Sequence, residues 1–113
     1  MDIHELYTRS GELHGHLCPG LAMGVRAAAE AKARLGSVDT CVLGHSACWV
    51  DGIRSVLGID PTVNETDTAV FDFGGAGSTL RLTLKELPRD SMDKPSLIEH
   101  ILTAPVSDIF DIC

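Results

Sequence analysis

Apolar positions recur along this chain first at helical and then at strand spacing, and the changes of period mark its elements. Ile3, Leu6 and Tyr7 lie on one helical stripe behind Asp2 and Glu5, a capping-box pattern that predicts a helix over residues 3–12. Residues 21–35 are rich in alanine, with Glu30 four residues before Arg34 and Gly36 as a stop, and predict a second helix. Thr40 to His45 reads as a buried strand. Ser46 is the expected N-cap of a third helix that presents Trp49, Val50, Ile53 and Leu57 on one side and ends at Gly58. Alternation then takes over: Ala69, Phe71 and Phe73 share one face of a strand over 68–73, and Leu80, Leu82 and Leu84 share one face over 78–84. The intervening GGAG suits a hairpin. Ser96 with Glu99 is the expected cap of a last helix carrying Leu97, Ile98, Ile101 and Leu102, and the tail PVSDIFDIC alternates only weakly.

The resulting order of helix, helix, strand, helix, strand, strand, helix predicts an α+β fold. A small mixed or antiparallel sheet of three to four strands would be covered by helices. Nothing divides the chain, so residues 1–113 are expected to form one domain. Poorly covered sheet edges and alanine-rich helix faces favour packing against a second copy, and a homodimer is expected.

Composition narrows the function classes. Sixteen acidic against nine basic residues give a net charge of −7 with no basic cluster, which argues against nucleic acid as a partner. No apolar run approaches the ~20 residues of a membrane span. The start MDIHELYTRS has neither the basic nor the apolar region of a secretory signal, so a cytoplasmic location is expected. There the four cysteines (18, 41, 48 and 113) should be thiols or ligands rather than disulfides, and they form no CxxC pair. GGAGS at 74–78 lacks the lysine of a phosphate loop and opens a strand, so it reads as a turn.

The chemistry gathers in LHGHLCPGLAMG, residues 13–24. In an extended run, His14, His16 and Cys18 would point along one edge, offering two imidazoles and a sulfur, donors that zinc and similar divalent transition metals prefer. Cys18 stands at the start of the second helix, where the dipole favours a thiolate. One segment rarely completes a coordination shell. Cys48, in the first turn of the third helix, is the natural distant ligand and by the same reasoning an activated thiol. Asp51 is placed to accept from a ligand histidine, and His45 is a reserve ligand. Cys41, Cys113, His4, His100 and Asp72 read as core, surface or solvent-facing residues.

HGHLCPGLAMGVRAA followed by CWVDGIRSVLG resembles the FmdE/FwdE family, named after the E-type component of formylmethanofuran dehydrogenase, over roughly residues 10–84. The resemblance implies an α+β core, frequent dimers, and a metal, usually zinc, near the HGHxC segment. By position, His14, His16 and Cys18 match the first motif, and Cys48 and Asp51 match the second. The chain departs from the pattern at Gly44, where relatives carry a glutamate, at Arg54, where they carry a glutamine, and through LGIDPTVNET. It also lacks the C-terminal zinc ribbon of longer relatives. Three functions follow from this reading. One is a zinc protein with a small ligand at an open metal position. The second is a metal-independent thiol or redox enzyme using Cys18 or Cys48. The third is an accessory module of a molybdenum or tungsten redox-enzyme assembly, partnered by its subunits, with a purely structural metal. No catalytic residue is assigned.

Overall fold

The computed structural model describes residues 2–66 and 68–113. Two long helices open the chain. Helix α1 (Ile3–His14) is capped by Asp2, whose side chain accepts from the Glu5 amide, and it runs two residues beyond the expected end because Gly15 closes it. Helix α2 (Pro19–Leu35) starts two residues early, with Cys18 as its N-cap and proline in its first position. After β1 (Thr40–Leu43) comes α3 (Trp49–Leu57). Ser46 is not its cap. Cys48 occupies that position in helical backbone geometry and makes no side-chain capping bond.

The strands confirm the α+β class and enlarge the sheet. Besides β1 they are β2 (Thr62–Val63), β3 (Val70–Gly75), β4 (Ser78–Leu84) and, after α4 (Lys94–Thr103) and α5 (Val106–Ile109), β5 (Phe110–Ile112). Among the described residues they form one five-stranded sheet in the order β2-β1-β3-β4-β5. β1 and β2 are parallel, and the other pairings are antiparallel. The two strands that the sequence pattern does not reveal are the edges, two and three residues long. Such short segments carry too little alternation to register. Their brevity also limits the unpaired backbone that a sheet edge offers to other chains.

Only Ala76 and Gly77 turn the β3–β4 hairpin, at φ of 53° and 76°. Both central residues at positive φ match the twist of the strands, and the first two glycines of GGAG join β3. Helix α4 is capped by Asp93, not Ser96: the Asp93 carboxylate accepts from the Ser96 amide at 3.1 Å. Glu99 instead receives His4 Nε2 at 2.9 Å, tying α4 to α1.

One face of the sheet (Cys41, Leu43, Phe71, Phe73, Leu80, Leu82, Phe110) is buried under the helices. Phe71 is its hub, edge-on to Trp49 at 5.3 Å and to Phe110 at 5.7 Å. On the other face Asp72 pairs across strands with Arg81 at 2.7 Å, consistent with its outward position in the alternation. The alanine face of α2 (Ala22, Ala27, Ala28, Ala31) is wholly buried within the chain itself.

Helices α2 and α3 cross at close range. A Cβ at Gly24 would lie 2.6 Å from the Trp49 Cα, and one at Gly52 would lie 2.8 Å from the Val25 nitrogen. A Cβ at Gly20 would meet the Cys48 Cβ at 3.1 Å. The glycines at positions 20, 24 and 52 are therefore what lets the start of α3 sit on the start of α2.

Candidate metal centre

The three donors of the first motif come together by chain reversal, not along an extended edge. His14 is the last residue of α1. Gly15 takes the left-handed conformation (φ 96°) and donates its N–H to the Gly11 carbonyl at 2.8 Å, a turn that an L side chain would strain. The chain doubles back, bringing the His16 ring to 4.3 Å from the His14 ring, centroid to centroid. Cys18 follows in extended backbone, its sulfur accepting from the Leu21 amide at 3.4 Å. The crossing of α2 and α3 adds Cys48. One ligand atom from each of His14, His16, Cys18 and Cys48 lies within 4.8 Å of the others.

The group is graded in exposure. Cys18 is buried, His14 and Cys48 are partly buried, and His16 is exposed. Leu13 and Leu17, near His16 in the chain, are 58% and 49% exposed.

Asp51 reaches the centre from the first turn of α3. Its Oδ2 lies 2.7 Å from His14 Nδ1, and its Oδ1 lies 3.4 Å from Arg54 Nη1. Arg54 in turn donates from Nε to Asp60 at 2.9 Å. A carboxylate on Nδ1 fixes the proton there and leaves Nε2 as a lone-pair donor. That Nε2 is buried and has no hydrogen-bond partner. Buried polar atoms are almost always satisfied, so an orphaned imidazole nitrogen amid two sulfurs and a second imidazole fits a metal ligand.

Cys48 differs from the expectation of an activated helix-start thiol. Burial pushes the Cys48 thiol above its usual range, and the nearby Cys18 and Asp51 push it further the same way.

Sequence reasoning did not single out Tyr7 or the glycines of the helix crossing. Tyr7, buried, donates its hydroxyl to the Cys18 carbonyl at 3.4 Å; its only sequence signal is a place on the apolar stripe of α1. The glycines at 20 and 24, four apart on α2, are the legible sign of a close helix crossing. His45 lies outside the four-donor group among the described residues. Its ring is edge-on to Trp49, its Nδ1 is 3.8 Å from Glu65, and its carbonyl accepts from Trp49 Nε1 at 2.9 Å. Cys41 faces the core, where burial and then Asp72 push its thiol up to about 12, and Cys113 is exposed at the chain end.

Fold and site together define a small α+β protein with a His/His/Cys/Cys cluster compatible with metal binding. The family model described as "FmdE, Molybdenum formylmethanofuran dehydrogenase operon" matches residues 13–111, nearly the whole chain, and the chain belongs to the FmdE family. No curated protein matches it. No helix among the described residues is long and apolar enough to cross a membrane.

Proposed function

We propose that this protein binds a transition metal, zinc before others, through His14, His16, Cys18 and Cys48, with Asp51 orienting His14. The observation that carries the reading is the buried, partnerless His14 Nε2 whose opposite nitrogen is held by Asp51. Two imidazoles and two thiolates are a donor set suited to tetrahedral zinc. Held by His14, Cys18 and Cys48 alone, with exposed His16 standing off, the metal would keep an open position and supply Lewis acidity to a small anionic or thiol ligand. The chain's own residues do the rest. Asp51 holds the proton on His14 Nδ1, the two thiolates balance the cation's charge, and exposed His16 marks the side from which a ligand arrives.

Metal analysis of untagged protein beside a Cys18→Ser/Cys48→Ser double variant tests this. About one metal per chain, lost in the folded double variant, is the expected result. Equal metal content in both ends the proposal.

The family description places relatives in the operon of a molybdenum enzyme, which favours as a second reading an accessory role beside redox-enzyme subunits. Co-purification of a pterin-enzyme polypeptide at fixed stoichiometry would support that role. The reading also includes a cytoplasmic homodimer. The alanine face of α2 is used within the chain and the sheet edges are short, so support for a second copy rests on exposed Leu13, Leu17 and Ile112. Light scattering giving one chain's mass at micromolar concentration would count against it.

A further inference from the structure

We propose that Cys18 and Cys48 are an oxidisable dithiol, closed by a peroxide into a disulfide that expels the metal. The release half rests on the metal-binding reading above, whereas the pairing of the sulfurs stands on geometry alone.

Four cysteines are free in this chain, and two of them are set apart. Cys41 is buried on the core face of β1, and Cys113 ends the chain. The Cys18 and Cys48 sulfurs belong to a single group whose ligand atoms all lie within 4.8 Å. They sit at the starts of two helices locked together by glycine contacts, and Gly20 abuts the Cys48 side chain itself. Neither sulfur is committed to a strong bond: Cys18 accepts one 3.4 Å contact from the Leu21 amide, and Cys48 makes no capping bond. The ~2.05 Å of an S–S bond is to be reached from a separation of at most 4.8 Å between the two sulfurs.

Their unequal burial divides the roles. Cys48, partly exposed, is the sulfur a peroxide meets; Cys18, buried behind it, resolves. The Cys48 sulfur attacks the O–O bond, an S–O bond forms, and the departing oxygen leaves as water. The Cys18 sulfur then attacks the Cys48 sulfur, the S–S bond forms, and the hydroxyl leaves as a second water. Two thiols give up two electrons and two protons, and one peroxide takes them; when the sulfurs are metal-held thiolates, solvent supplies the protons. A disulfide carries no thiolate charge, so the donor set falls to two imidazoles and affinity collapses.

The test uses the full chain with Cys113→Ser, which removes the exposed thiol. Zinc-loaded protein is treated with hydrogen peroxide, release is followed with a chromogenic chelator, and non-reducing peptide maps identify the product. The expected result is release in step with a Cys18–Cys48 cross-link, both reversed by a thiol reductant. A parallel arm treats the metal-free chain. If the protein binds no zinc yet the cross-link forms in that arm, the pairing stands and the metal-binding reading fails. If zinc is bound but peroxide yields only sulfinic or sulfonic acids, or leaves the metal in place, the dithiol inference is overturned and the metal-binding reading survives.

Discussion

His14 Nδ1 lies 2.7 Å from Asp51 Oδ2, joining the last residue of the first helix to the first turn of the third. This contact decides which imidazole nitrogen faces the two sulfurs. Replacing Asp51 with Asn keeps the size but removes the charge that holds the proton on Nδ1. We expect metal affinity to fall about 10–100-fold, the usual effect of losing such a partner, with the far-ultraviolet circular dichroism unchanged. Competition with a chromogenic chelator measures it.

The crossing that delivers Cys48 depends on Gly24. A side chain there strikes the Trp49 backbone, which cannot move aside as a flexible side chain would. Gly24→Val is expected to cost at least the ~1–3 kcal/mol typical of overpacking, read from the urea midpoint. It should also lower the metal content of the fraction that still folds, because the start of α3 is displaced from Cys18.

Phe71 ties the sheet to α3 through Trp49 and to the C-terminal strand through Phe110. Phe71→Ala should cost about 3–5 kcal/mol, against a total of about 5–15 kcal/mol for a domain of this size. Equilibrium denaturation would show it, and a loss below about 1 kcal/mol would contradict the central place given to this ring.

Alkaline pH should destabilise the fold. Burial holds the Cys41 thiol at about 12 against an ordinary 9.0, and the Tyr7 hydroxyl at about 12 against 10.0. In the unfolded chain these groups ionise at their ordinary values, so raising the pH draws the equilibrium towards unfolding. The stability they protect is complete below pH 9 and is lost progressively as the pH climbs to about 12. The slope approaches ~1.4 kcal/mol per pH unit for each group while only its unfolded form is ionised. Cys41→Ala should make the decline shallower, and urea midpoints at about pH 8, 9.5 and 11 would test it.

How much is legible in the sequence can be judged residue by residue. The cap Asp2, the stops Gly36 and Gly58 and the hairpin around Ala76–Gly77 act within a few residues, and local patterning locates them. Ser46 and Ser96 mislead because a serine preceding an apolar stripe resembles a cap. Cys48 and Asp93 hold those places, as packing and a neighbouring carboxylate decide. β2 leaves no trace in the pattern and β5 only a weak alternation, because a two- or three-residue strand exists only through the partner it pairs with.

By itself the sequence determined the donor types, the two motifs that carry them, the α+β class and the core face of the long strands, since residue chemistry and apolar period are properties of short segments. Only the tertiary structure decided that His14 ends a helix instead of lying on an extended edge. It also decided that Asp51 accepts from His14 Nδ1, that Cys48 meets Cys18 across a glycine-lined crossing, and that His45 stays outside the group. Each of these joins positions distant in the chain, and close approach between distant segments is set by how whole helices and strands pack.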